Sequence, residues 1–127
     1  MAPKGPPRPA VLQRATIDKE QRIDLVDVEG ELGAAAVTRW TALLQRSIKK
    51  GVTGIAVDLR GCRAVDPLCV SAMAAASAIL RSRGGGGVKL VTNPWSRLGR
   101  RMRTDAPDGL PLYTSAQGAL LSFSEAG

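Results

Sequence analysis

The stretch at residues 54–73 constrains the fold of this 127-residue chain more than any other part of the sequence. It begins with a short apolar run at residues 55–59 that is partly β-branched and bounded by glycines, which predicts a buried strand. After a segment containing Gly61, which we interpret as a turn, an alanine-rich helical pattern starts at Pro67. Asp66 is placed to cap this helix, and proline is well tolerated at a first helical position. The stretch therefore predicts a core strand that leads into a capped helix.

The predicted helix has one apolar side and one side that faces outward. Leu68 and Ser71 lie on the side opposite the apolar stripe. An outward leucine beside a helix N-terminus indicates a contact surface. The inward stripe consists of Val70, Met73, Ala74, Ser77 and Leu80.

The remaining hydrophobic patterns predict alternating strands and helices around this unit. The two opening strands are followed by helices that alternate with strands, which requires crossover connections and a mixed sheet. The glycine run at residues 84–87 follows a helix and precedes a strand, the reverse of a phosphate-binding loop, and is interpreted as a flexible connection. The fold class is α/β, with four to five strands and about four helices. The predicted strands are at 11–16, 22–29, 55–59, 88–92 and 110–113, and the helices at 34–50, from 67, at 95–103, and from about 116 to near 122.

Length and composition indicate one domain between two short tails. A chain of this size with 44% hydrophobic residues builds a single core. Residues 1–10 contain four prolines and predict a disordered tail. We assign the domain to residues 11–123 and a C-terminal tail to residues 124–127.

The absence of histidine narrows the chemistry of the chain. It removes the usual general base, the commonest metal ligand and any serine–histidine or cysteine–histidine nucleophile, so we expect neither an enzyme nor a metal site. No cofactor motif is present, and no cofactor is expected. Cys62 and Cys69 flank the strand-to-helix connection. Two small buried hydrophobes are the favoured interpretation, and a redox-sensitive pair is the alternative.

The charge and hydropathy pattern limits the partners. No apolar run approaches the roughly 20 residues of a membrane span and no secretory signal is present, so no membrane association and a cytoplasmic location are expected. The formal net charge is +7, but the basic residues are scattered. Their densest cluster is Arg97, Arg100, Arg101 and Arg103, with Trp95 as its only aromatic neighbour. A nucleic-acid partner is disfavoured, and a solvated helix face or an acidic protein partner fits at least as well.

Several short motifs occur together in a fixed order along the chain. With their spacing, they resemble a STAS domain of the bacterial anti-sigma factor antagonist (anti-anti-sigma factor) type, over about residues 11–123. The resemblance implies a small non-enzymatic switch that takes part in transcription regulation. The motifs are Gly30-Glu31-Leu32, Val57-Asp58-Leu59-Arg60-Gly61-Cys62 before Val65-Asp66, Leu90-Val91-Thr92-Asn93-Pro94, and Leu112-Tyr113-Thr114-Ser115 before Ala119-Leu120.

The same resemblance implies the partner and the mode of regulation. Family members bind an anti-sigma factor with serine-kinase activity, and phosphorylation at the switch helix releases them. The family's Asp-Ser-Ser-Gly is matched here by Asp66-Pro67-Leu68-Cys69, so the phosphoacceptor position holds Leu68, which has no hydroxyl. Gly33 stands where an acid often follows Gly-Glu-Leu. Phosphorylation at position 68 therefore cannot regulate this chain.

Three interpretations stay open at this point: a constitutive antagonist, a member that docks elsewhere, or one regulated through Cys69 or Ser71. We favour a docking module built on the start of the helix at Pro67. A nucleotide-binding module, a homo-oligomeric scaffold and a basic nucleic-acid-binding protein are the alternatives. The predicted partner-binding residues are Asp66, Leu68, Cys69, Ser71, Glu31 and Gly33.

Overall fold

Five strands form one mixed sheet in the computed structural model, which describes residues 11–18, 22–107 and 109–125. The strand order is β1-β2-β3-β4-β5; β1 is antiparallel to β2, and the other neighbours are parallel. The predicted α/β class with a mixed sheet is confirmed. Residues 1–10, predicted to be a tail, lie outside the described residues. The strands are β1 Val11–Asp18, β2 Ile23–Leu32, β3 Gly54–Val65, β4 Gly87–Val91 and β5 Leu112–Tyr113.

The described residues contain four α-helices. A short 3₁₀ turn, Ala34–Ala36, precedes the first helix. The last helix continues to Glu125 instead of ending near Ser122, so the first two residues of the predicted C-terminal tail are helical. In this part of the chain, no helix has the length and apolar character needed to cross a bilayer. The helices are α1 Val37–Lys49, α2 Pro67–Ser82, α3 Arg97–Asp105 and α4 Ala116–Glu125.

The helices cover the two faces of the sheet unequally. Side chains alternate across a strand, so Ile55 and Val57 face one side of β3 and Ala56 faces the other. The first side packs against α1, α2 and α3 in the larger core cluster, while the second packs against Ala119 and Phe123 of α4. The core is almost entirely aliphatic around the one buried tryptophan, Trp40.

The strand β3 is longer than predicted. The segment around Gly61 was interpreted as a turn, but β3 continues to Val65 and pairs with β2 to its end. Its register against β2 shifts twice, between the partners of Asp27 and Glu29 and between those of Gly30 and Glu31. At each shift, β3 has one residue more than β2 between the paired positions. Each shift is therefore a bulge, which bends the strand.

The glycine run after α2 is packed, which corrects the prediction of a flexible connection. The amide of Gly85 donates to the Leu80 carbonyl, and that of Gly86 donates to the Thr53 carbonyl, both at 2.9 Å. A side chain at Gly85 would collide with the backbone carbonyl of Thr53. Glycine is required here because two backbone segments approach each other closely.

A buried carboxylate joins α1 to the sheet. Asp24 is fully buried, and its Oδ2 accepts a hydrogen bond of 2.7 Å from the Ser47 hydroxyl, itself fully buried on α1. Arg14 of β1 donates to the same hydroxyl at 3.2 Å, and its Nε lies 3.8 Å from the Asp24 carboxylate. A buried charge is tolerated only with such partners.

The two adjacent leucines of α1 test this packing. Leu44 is 2% exposed in the core, whereas Leu43 is only partly buried. We expect Leu44→Ala to lower the free energy of unfolding by about 2–5 kcal/mol, because it leaves a cavity. Leu43→Ala should cost about 1 kcal/mol. Urea unfolding followed by far-UV circular dichroism measures both, and equal losses would contradict this packing.

Candidate functional site

The carboxyl ends of β2 and β3 meet at one edge of the sheet, which we call the β2/β3 edge (residues 31–33 and 64–66). The strands are parallel, and Leu32 lies opposite Val65 in the register. The amide of Asp66 then donates a hydrogen bond of 2.7 Å to the Leu32 carbonyl. Glu31 and Gly33 are therefore brought next to the start of α2.

Asp66 is the N-cap of α2. Its Oδ1 accepts a hydrogen bond of 2.8 Å from the Leu68 amide, and Pro67 occupies the first helical turn. Its backbone carbonyl accepts from the amides of Cys69 at 2.9 Å and Val70 at 3.2 Å. These bonds satisfy the first amides of the helix and fix the direction in which its first turn leaves the sheet.

Leu68 and Ser71 lie on the outer side of α2. The Leu68 side chain is 62% exposed, and Ser71 one turn later is also exposed. Both positions agree with the outward face predicted from helical spacing. An exposed leucine held by a capped first turn presents an apolar contact in a fixed geometry.

Cys69 does not lie on this surface, although we included it among the predicted contact residues. Its side chain is 0% exposed, because one step of about 100° along the helix turns it from the outer side into the core. Its carbonyl accepts a hydrogen bond of 3.2 Å from Nε1 of Trp40 on α1. Through its backbone carbonyl, Cys69 therefore links the first turn of α2 to α1.

The residues from β2 have different exposures. Glu31 is half-buried in the strand, while Gly33 is exposed and begins the 3₁₀ turn, where its carbonyl accepts from the Ala36 amide at 3.0 Å. Gly33 has a φ of −82°, and a side chain added there would meet nothing within 4 Å. No steric constraint requires glycine at this position, and without a side chain Gly33 adds no charge beside Asp66.

The two cysteines are buried free thiols. Burial raises the pKa of Cys62. Burial, with a smaller contribution from the charge of Asp66, raises the pKa of Cys69 from 9.0 to about 11. The Cys62 thiol also donates to the Ala64 carbonyl at 3.2 Å. Because the thiolate is the reactive form, this environment opposes the redox alternative for the pair.

A charged cluster that the sequence did not reveal lies on the second face of the sheet. Arg60 contacts both carboxylate oxygens of Asp58, with its Nη2 2.7 Å from Oδ2 and its Nε 3.0 Å from Oδ1. Burial alone would raise the pKa of Asp58, but the hydrogen bonds from Arg60 and its charge bring it below the ordinary 3.8. Burial raises the pKa of the neighbouring Asp27, and the charges of Asp58 and Glu29 add to this. The sequence contained one signal for the ion pair: Asp58 and Arg60 have opposite charges and stand at positions i and i+2 of a strand, which lie on the same face.

The described part of the chain contains no group of three or more cysteine or acidic residues that could hold a metal ion. The candidate site is a surface made of the apolar Leu68 side chain, the Ser71 hydroxyl and the carboxylates of Asp66 and Glu31, next to a helix N-terminus. Such an arrangement supports recognition of another molecule by contact.

Comparison by sequence finds no match for the chain, neither to a protein-family model nor to a curated protein. Comparison by structure finds clear neighbours. One is the crystal structure of an anti-sigma factor antagonist from Mycobacterium paratuberculosis, with 18% identity and a TM-score of 0.71. The similarity covers 90% of this chain and 95% of that one.

Two further neighbours are structures of SpoIIAA. Its unphosphorylated form, an anti-sigma factor antagonist, has 17% identity, a TM-score of 0.68, and coverage of 91% of this chain and 98% of the neighbour. The phosphorylated form of the Bacillus protein has 18% identity, a TM-score of 0.65, and coverage of 88% and 98%. The chain has the fold of the anti-sigma factor antagonists, which confirms at the level of the fold the STAS-like architecture expected from its motifs.

The buried thiols can be tested chemically. In the folded protein, we expect both cysteines to react slowly with the disulfide reagent DTNB at pH 8. The rise in the pKa of Cys69 from 9.0 to about 11 lowers its thiolate fraction by roughly a hundredfold, and burial blocks access. In guanidinium chloride, both thiols of the chain should react rapidly. If one of the two cysteines reacted rapidly with DTNB in the folded protein, this result would contradict the buried environment described above.

Proposed function

We propose that this chain is a non-enzymatic regulatory protein that binds an anti-sigma factor with a serine-kinase-type fold. The proposal is supported by the fold, which the chain shares with anti-sigma factor antagonists. The observation that carries it is the 62% exposure of Leu68 in the capped first turn of α2, at the position that corresponds to the phosphoacceptor of the resembling family.

Leu68 is suited to be the central contact of this surface. A partner that covers it removes apolar area from water at about 25 cal/mol per Å², and the fixed first turn keeps the ordering cost low. Around it, Asp66, Ser71, Glu31 and Gly33 supply a short polar rim. A buried apolar centre with a polar rim is the usual anatomy of a protein interface.

The complex proposed here is not released by phosphorylation at position 68. SpoIIAA exists in unphosphorylated and phosphorylated forms. A phosphate on a residue in the first turn of α2 would add almost two negative charges, which the helix dipole tolerates but a tight interface does not. Leu68 has no hydroxyl to accept that phosphate. We therefore propose a constitutive antagonist.

Replacing Leu68 with aspartate tests the position of the site. We expect Leu68→Asp to weaken binding to the purified serine-kinase-type anti-sigma factors of the same organism by about 2 kcal/mol or more, roughly thirtyfold. The new carboxylate would lie in the first turn of α2, where it favours the helix, so folding should be retained. Isothermal titration calorimetry measures the affinity.

Ile79→Asp is the matched control. Ile79 is a second exposed apolar residue of α2, 41% exposed and three turns further along the helix. This variant should bind as the unaltered protein does. If both variants lose affinity equally, or if neither does, the contact is not at the start of α2.

Replacing Leu68 with serine tests the regulatory part of the proposal. We expect Leu68→Ser to restore a hydroxyl where the kinase partner can use it, so that ATP causes phosphorylation and release. The unaltered protein should stay bound in ATP. Intact-mass spectrometry and size-exclusion chromatography measure the two effects. ATP-dependent release of the unaltered protein would show that regulation acts elsewhere, for example at Ser71.

A further inference from the structure

Trp95 is the most exposed large hydrophobic residue among those the structure describes. It is 84% exposed, compared with 62% for Leu68. The other tryptophan, Trp40, is fully buried. The exposed indole is a large apolar surface left in contact with water. Tryptophan is enriched among the residues that dominate binding energy, so Trp95 marks a contact point.

The backbone around Trp95 is held in one conformation. Its amide donates to Oδ1 of Asn93 at 2.9 Å, and the Ser96 hydroxyl donates to the Asn93 carbonyl at 2.8 Å while accepting from the Gly99 amide at 2.9 Å. Gly99 packs so closely on the Asn93 carbonyl that no larger residue fits. The loop is thus fixed before binding, which lowers the entropy lost when a partner docks.

The helix that follows presents a basic outer face. Leu98 and Met102 are buried, so the opposite side of α3 carries Arg97, Arg100 and Arg103, with Arg101 at its edge, all of them exposed. Among the described residues, Arg101 alone of these four has an acidic partner, the exposed Asp105 at 3.6 Å. The remaining positive charge is available to a ligand.

The positive charge at the start of α3 is not explained by the stability of the helix. The first turn of α3 contains no acidic residue, and Arg97 stands at its first position. A cation at a helix N-terminus opposes the helix dipole. Leu98 and Met102 pack α3 on the core, and the exposed arginines lie outside that contact.

We propose that Trp95 and the outer face of α3 form a docking surface for an acidic segment of a partner protein. Arginine and tryptophan are the residue types most enriched in binding hot spots, and carboxylates of the segment would pair with the guanidinium groups while an apolar side chain packs on the indole. The surface consists of other elements than the one at α2, so it goes beyond the function proposed above.

A protein is favoured over a nucleic acid as the occupant. Proteins that bind single strands stack successive bases on several aromatic residues along a basic groove. The surface here has one aromatic residue and the convex outer face of a helix of nine residues. That geometry offers one apolar contact point, Trp95, and a compact group of positively charged arginines.

The test uses a fluorescein-labelled glutamate-rich peptide that carries one phenylalanine, and fluorescence anisotropy at ~150 mM salt, where long-range attraction is screened. We expect the peptide to bind, and the double variant Arg97→Glu/Arg100→Glu to weaken it by about tenfold or more. Trp95→Ala should weaken it by several-fold. Leu68→Asp should bind the peptide normally, so this proposal and the function proposed above can fail separately.

The control must carry the same change of charge elsewhere. Arg46→Glu/Lys49→Glu alters two exposed cations of α1 and should change the affinity by less than about twofold. Both cations lie in the last turn of α1, where the helix dipole favours them, so thermal unfolding must also show that this variant is folded at the temperature of the assay. Thermal unfolding should show that the α3 variant is as stable as the unaltered protein, because Arg97→Glu removes an unfavourable charge at the helix start.

Several results would overturn the proposal. They are failure of the peptide to bind, equal weakening by the α1 control, or no effect of Trp95→Ala. Tighter binding of an oligothymidylate than of the peptide, with the same dependence on Trp95, would assign the surface to single-stranded nucleic acid instead.

Discussion

The hydrogen bond from the Asp66 amide to the Leu32 carbonyl is the contact on which the rest of the site depends. It ties the end of β3 to the end of β2 where the chain turns into α2. The Asp66 carboxylate then caps the helix, and Trp40 holds its first turn from α1 through the Cys69 carbonyl. Three elements thus fix one turn of helix, and Leu68 is exposed because that turn cannot rotate.

The fold was predictable where its determinants are local. The N-cap at Asp66, the proline after it and the stripe that ends at Leu80 all lie within one stretch of chain, and each has its predicted place. The burial of Asp24 was not predictable, because its partners are Ser47 on α1 and Arg14 on β1. An acid in an alternating strand pattern is expected to face water until such distant partners are known.

The candidate site shows the same division. Helical spacing correctly placed Leu68 outside, but including Cys69 among the contact residues was wrong, since neighbours on a helix face different directions. The exposure of Trp95 could not be inferred from its type, because aromatic side chains are usually at least partly buried. It follows from the turn at Asn93, which directs the chain into α3 with the indole outside.

The two proposed surfaces differ in what they would contribute to binding. The charged face of α3 would raise the rate of association and make it dependent on salt, whereas the apolar contact at Leu68 would slow dissociation. A partner that meets both would be attracted by one surface and retained by the other. Because Leu68 offers no hydroxyl for a kinase to modify, the part of such a complex that is open to regulation would be its electrostatic part. Any control over this chain would then act on the charge of its partner's acidic segment more readily than on α2.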